Sequence, residues 1–235
     1  MQKSAKAIQL VLNEFLTKLA LPLVSKSAYS QARQHLSHTA FMELNQVGVV
    51  EPMYSDNEYE RYWGYRVLGI DGSRVILPDS EAIYEGFGRI KRTSGKKGVK
   101  GEGHYSYAQA SVLYDVLNKI ALDSCFEPGR SYEVDLAKRH LAYTQATDLL
   151  VCDRNYGSYR WLATLVKQER AFVIRCQHNS FKAVQRMFAD QGADSQIVTL
   201  KVNSAKRREI RERELPEQKK GQCKISGVDE EMGVK

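Results

Sequence analysis

The sequence predicts an α/β chain, with a mixed α+β sheet flanked by helices and preceded by a small helical domain. Three observations predict it. Ile8, Val11, Leu12, Phe15, Leu16 and Leu19 recur at helical spacing as far as Pro22. From Tyr65 to Phe126, apolar residues come in short strand-like runs broken by turn chemistry. From Ser131 onward, helical and strand-like stretches alternate, as they do where helices pack on a sheet.

After the first helix, Ser27 is a candidate cap for a second, which carries Tyr29, Ala32 and Leu36 on one side and Lys26, Arg33 and His35 around it. Ser37-His38-Thr39 opens a third, through Phe41 and Leu44. Short helices in series with basic residues suit a DNA-contacting domain, here residues 1–53. The plainer reading of such a stripe is a solvated helix face. Residues 54–64 are acidic and aromatic and read as a linker.

The core is expected over residues 65–202. Tyr65 to Ile70 and Arg74 to Leu77 read as a hairpin around Gly72-Ser73, and Ala108 to Tyr114 with Lys119 to Phe126 as a second hairpin. Ser131 starts a helix bearing Glu133 and Asp135 in its first turn, where carboxylates complement the helix dipole. Leu149 to Cys152 reads as a buried strand, Ser158 to Lys167 as a helix, and Ala171 to Cys176 as another strand. Antiparallel strands followed by helix, strand, helix, strand is the ribonuclease-H-like order. Residues 203–235 alternate in charge and form a tail without apolar periodicity, expected to be disordered or frame-shifted.

Composition bounds the function. The 235 residues are 43% hydrophobic, ample for a packed core, and carry a net charge of +7, which favours a polyanionic partner. The four cysteines show no metal-ligand spacing and read as small, reduced core residues of a cytosolic protein. No apolar run approaches the ~20 residues a membrane span needs. A membrane protein and a disulfide scaffold are both excluded as expectations.

Two segments carry chemistry. Val67-Leu68-Gly69-Ile70-Asp71 and Leu149-Leu150-Val151-Cys152-Asp153 each run apolar residues straight into an aspartate followed by turn residues. A strand interior cannot solvate a charge, so each acid is delivered to the rim of the sheet, and two rim acids on different strands suggest a divalent-metal site. The plainer readings are an Asp-Gly turn at Asp71 and a helix cap at Asp153. Between the segments, residues 86–103 hold six glycines and the six cations Arg89, Lys91, Arg92, Lys96, Lys97 and Lys100. This stretch reads as a surface loop suited to phosphates; it lacks the GxxxxGK[ST] pattern of a nucleotide loop.

Together, Lys26-Ser27-Ala28-Tyr29-Ser30-Gln31-Ala32-Arg33, Gly69-Ile70-Asp71-Gly72-Ser73, Ser111-Val112-Leu113-Tyr114-Asp115-Val116-Leu117-Asn118 and Val151-Cys152-Asp153-Arg154-Asn155-Tyr156-Gly157-Ser158 resemble the N-terminal part of an IS-four-like DDE transposase of a bacterial insertion sequence. The resemblance covers roughly residues 1–200. It implies a ribonuclease-H-like core, DNA cleavage and strand transfer, two Mg²⁺ or Mn²⁺ ions, and double-stranded DNA as partner, both element ends and target. It also implies a homodimer or synaptic complex and a place in the bacterial cytoplasm at the nucleoid. Asp71 and Asp153 take the roles of catalytic metal ligands; Arg154 is a phosphate partner, and Arg33 with the loop cations contacts DNA.

Asn155 stands where the family has glycine, and Asn tolerates the same turn. The family's third ligand, a glutamate in a Tyr-x-x-Arg-x-x-x-Glu pattern, has no match. Glu209, Glu212 and Glu214 are the nearest substitutes, in a run of alternating charge. The expectation is therefore an inactive, truncated copy, with a non-catalytic DNA-binding fragment as the alternative. An unrelated nuclease of the same fold would need another acid, for which Asp123 is the candidate.

Overall fold

Two units make up the chain, residues 1–55 and residues 56–235. The computed structural model describes residues 7–91, 104–189, 195, 197–204, 207–208 and 232–234. In the first unit, α1 (Ile8–Lys18) buries Leu12. Gln9 fixes the chain that follows: its side-chain amide donates to the Val24 carbonyl at 2.8 Å and accepts from the Lys26 amide at 2.6 Å. That tie places Ser25, two residues before the expected cap, where its hydroxyl accepts from the Ala28 amide and starts α2 (Lys26–Gln34). Ser37 caps α3 (His38–Asn45), which continues through a π-helical turn at Gln46–Val50 into α4 (Glu51–Tyr54).

The second unit is built on a five-stranded sheet. Its strands are β1 (Arg66–Ile76), β4 (Tyr107–Asp115), β5 (Ile120–Pro128), β6 (Asp148–Cys152) and β7 (Ala171–Ile174), in the order β5-β4-β1-β6-β7. β1, β4 and β5 pair antiparallel, while β6 joins β1, and β7 joins β6, in parallel. Antiparallel neighbours need only a short turn, which Asp115 organises by accepting from the Leu117 and Asn118 amides. Parallel neighbours need a crossover, supplied by α6 (Glu133–His140) and α7 (Tyr159–Lys167). This mixed sheet with crossover helices is the ribonuclease-H-like arrangement that the element order predicts.

One expectation is overturned here. Residues 65–77 do not fold back as a hairpin at Gly72-Ser73; β1 runs straight through them and pairs with β4 from Leu68 to Ile76. A two-residue hairpin turn needs positive φ, which Gly72 does not have, and the continuous ladder to β4 outweighs the local turn preference of Asp-Gly.

The core lies between the sheet and the two crossover helices. Leu68, Leu113, Leu150, Trp161 and Leu165 are fully buried there, and Phe181, Leu162 and Leu200 form a satellite cluster with Phe172 and Ile174. Buried charges are paired. Arg66 grips Asp148 with two hydrogen bonds of 2.9 and 2.8 Å across the β1–β6 pair, and His140 Nδ1 donates to Asp123 at 2.6 Å while its Nε2 lies 3.0 Å from Ser111 Oγ. Burial pushes the thiol of Cys152 up to about 12, so it is an inert core group.

Smaller elements complete the unit. α5 (Glu81–Phe87) leads into a two-stranded ladder of β2 (Ile90–Lys91) and β3 (His104–Tyr105), which frames residues 92–103. After α8 (Lys182–Ala189), β8 (Val198–Leu200) pairs antiparallel with β9 (Met232–Val234). The expected structureless tail therefore contains a paired segment, Met232–Val234, among its described residues. Among the described residues, no helix is long and apolar enough to cross a membrane.

Candidate active site

The parallel pairing of β1 with β6 decides where the two chemical segments meet. Ile70 stands opposite Cys152, so the next residue on each strand, Asp71 and Asp153, emerges at the same level where β6 ends. In open sheets the carboxyl ends of parallel strands are where ligands bind. Each carboxylate is exposed and accepts only a short local bond, Asp71 Oδ1 from the Gly72 amide and Asp153 Oδ1 from the Asn155 amide, both at 2.8 Å. Asp153 thereby caps the single 3₁₀ turn Arg154–Tyr156, as its cap reading anticipates, while its second oxygen carries no bond to the described residues.

Two depressions adjoin the aspartates. One, of about 600 Å³, is shallow and largely apolar; Asp71 and Asp153 line it with Val112, Tyr114, Val151 and Arg175. The other, of about 640 Å³, is polar and includes Arg74, Gln109, Arg130, Glu133, Arg154 and Asn155.

Glu133, at the start of α6, is the carboxylate that the sequence reading passes over as a helix-terminus acid. Gln109 Nε2, on a nearly fully buried side chain, donates to its Oε1 at 3.2 Å. A Cβ built on Gly72 would lie 3.6 Å from its carboxyl carbon and 2.8 Å from Gln109 Nε2, so glycine beside Asp71 is what admits the pair. Burial pushes the Glu133 carboxyl up, and the charges of Asp153 and Asp71 push it further, while Arg74 and the Gln109 bond act the other way. Tyr156, 1% exposed, sits against the same acids: its phenol is held well above its usual range by burial, then by Glu133, Cys152, Asp71 and Asp153. Its hydroxyl has no hydrogen-bond partner among the described residues. The sequence signal for Glu133 is only its place in the first turn of α6.

The remaining sequence candidates are dispersed. Arg154 adjoins the aspartates on the 3₁₀ turn. Arg89 is engaged by Glu81 at 2.8 and 2.6 Å and lies over the Tyr84 ring, so its expected phosphate role competes with a formed ion pair. Lys91 lies on β2; Arg92, Lys96, Lys97 and Lys100 fall outside the described residues, as do Glu209, Glu212 and Glu214. Arg33 stands in the last turn of α2, in the first unit. Asp123 is removed as a site acid: it lies on β5, two strands from β1, committed to His140. Among the described residues, no group of three or more His, Cys, Asp or Glu is gathered closely enough to hold a metal ion.

Residues 62–226 match the family described as Transposase DDE domain, a span that includes both aspartates and every strand of the sheet. The chain belongs to this transposase family. Among solved structures, the domain is similar to a piggyBac transposase in a synaptic complex with hairpin DNA, at 13% identity and a TM-score of 0.38, over 86% of this chain and 41% of that one. Two Mos1 transposase structures also resemble it. One is a paired-end complex with the left transposon end, at 10% identity, TM-score 0.28, over 83% of this chain and 74% of that one. The other is a mariner paired-end complex with Mn, at 10% identity, TM-score 0.31, over 89% and 67%. The transposase domain thus spans well under half the length of the piggyBac chain. No curated protein matches it. Membership rests on the sequence match alone.

Proposed function

We propose that the chain is a DNA transposase domain of the IS-four-like insertion-sequence type, whose family chemistry is metal-dependent DNA strand cleavage and strand transfer, and that Asp71 and Asp153 are its metal-binding acids. The supporting observation is their adjacent emergence at the carboxyl end of the parallel β1–β6 pair. Two exposed carboxylates with spare oxygens suit Mg²⁺ or Mn²⁺, hard cations that accept oxygen ligands and keep several waters. When bound, such ions polarise a phosphate and generate an oxygen nucleophile. The chain's own part is to hold one carboxylate on β1 and the other at the turn that follows β6, and to offer the Arg154 guanidinium beside them to a phosphate. Double-stranded DNA, as element ends and target, is the partner; a homodimeric synaptic complex in a bacterial cytoplasm is the setting.

A second reading has its own support. The described residues supply two family acids and no three-ligand group, which favours a copy that binds DNA without cutting it. Both readings answer to one experiment. Purified protein is incubated with DNA carrying the element's ends and Mg²⁺ or Mn²⁺, with retention and nicking measured together. Retention without nicking identifies the non-catalytic copy. Nicking that disappears in Asp71→Asn identifies an active transposase. Absence of both retention and Mn²⁺ binding would remove the proposal.

A further inference from the structure

Several arginines of the second unit are spent within the fold. Arg66, Arg89, Arg139 and Arg160 are each paired with a carboxylate, of Asp148, Glu81, Glu127 and Asp135 respectively. Arg170 is spent on the oxygens of Thr144 and the Gln168 carbonyl. Arg74, Arg130 and Arg154 have no ion pair among the described residues, and all three are exposed on the wall of the same 640 Å³ cavity. They come from three separate elements: β1, the turn after β5, and the turn after β6. Unpaired guanidiniums repel one another, so three of them gathered in one concavity represent electrostatic energy that an anion would release.

The lining between them matches a nucleotide strand better than a free anion. Asn155, Gln177 and Asn179 present donors and acceptors that suit sugar and base edges. Tyr132 also lines the cavity, its ring beneath the Arg160 guanidinium at 6.0 Å. Glu133 is its one acidic lining residue, and it lies against Gly72, next to Asp71. A bare phosphate is thereby discouraged at that point, where a cation held by the aspartates would be welcome.

Resting on the proposed transposase reading, we infer that this cavity seats the DNA strand adjoining the scissile phosphate, with Arg74, Arg130 and Arg154 as its phosphate contacts. Arg74 and Arg130 are positioning residues that no family motif marks. Their action is on strand placement and not on the reacting atoms.

The test is fluorescence anisotropy of the full chain with a labelled DNA duplex in EDTA, over a range of salt, for Arg74→Gln, Arg130→Gln, Arg154→Gln and the triple variant. All three side chains are exposed, so folding is preserved, and circular dichroism checks it. Each substitution is expected to lower the slope of log K against log salt by about 0.9, the value for one phosphate contact on duplex DNA, and the triple variant by the sum. Arg139→Gln, already paired with Glu127, is expected to leave the slope unchanged. Arginine-to-lysine variants are expected to restore it. Slopes equal to wild type in the triple variant would overturn the inference. So would equal competition by a free mononucleotide, which would make the cavity a small-molecule site. Because EDTA removes divalent ions, failure here is separate from failure of the metal reading, which Mn²⁺ binding by Asp71→Asn and Asp153→Asn measures.

Discussion

Asp148 and Asp153 stand at opposite ends of one five-residue strand, and their surroundings are opposite too. Asp148, at the entry of β6, is 1% exposed, gripped by both arms of Arg66 and bonded by the Gln145 amide at 2.7 Å. Asp153, at the exit, is exposed and bonded only to its own turn. An acid that holds a fold has its oxygens satisfied by neighbours. An acid held ready for a ligand has them left open by a scaffold that gains nothing from it. The difference follows from direction: β6 enters beside Arg66 on β1 but leaves where β1 continues alone toward β4.

This contrast can be broken in order of expected effect. Asp71→Asn and Asp153→Asn should each abolish Mn²⁺ binding, followed by electron paramagnetic resonance, while leaving Tm unchanged or slightly raised, since each removes repulsion toward Glu133. Asp148→Ala should do the reverse: Mn²⁺ binding persists in whatever protein remains folded, and urea unfolding shows a loss of about 3–5 kcal/mol, the cost of breaking a buried ion pair by removing one member. If Asp148→Ala proved mild, or Asp71→Asn strongly destabilising, the division of labour would be wrong.

A smaller effect sharpens the same line. The Glu133 carboxyl is raised in the folded state, so between its ordinary value and its folded value the native protein holds a proton that the unfolded chain has lost. Its contribution is therefore intact below the ordinary glutamate range and declines as pH rises through the folded value. Glu133→Gln should raise Tm near neutral pH and leave it unchanged in mild acid. Added Mn²⁺ should shrink the neutral-pH gain by neutralising Asp71 and Asp153. Smallest of all, Arg89→Gln should lower Tm only marginally, because its pairing with Glu81 is exposed and such pairs contribute about 0–1 kcal/mol.

Much of this was legible in the sequence because strand residues declare themselves by burial. The β4–β5 hairpin, β6, α7 with its Ser158 cap and β7 lie within a few residues of expectation, and Asp71 and Asp153 follow paired residues of neighbouring strands. What failed did so where a local signal competed with a long-range one. Asp71-Gly72 has the chemistry of a turn, but the ladder partners on β4 lie some forty residues away and hold it extended. Ser27 is a candidate cap in the sequence, but Gln9 ties down the preceding residues and Ser25 caps the helix instead. Glu133 reads as an ordinary first-turn acid, and Arg74 and Arg130 as ordinary surface cations, because their significance arises from a strand, a helix start and a turn converging on one cavity. The short ladder of β2 and β3 left no apolar pattern at all.

That ladder has a geometric consequence. Ile90 pairs with Tyr105 and Lys91 with His104, so the chain leaves for residues 92–103 and returns at one doorway. The doorway stands beside the cavity: a Cβ on Gly88 would lie 3.3 Å from the Arg130 guanidinium, and Ser106 donates its hydroxyl to the Gly88 carbonyl. A side chain on Gly88 would thus press on Arg130, so the approach to the ladder and the wall of the cavity share one contact, and a change at the first is felt at the second.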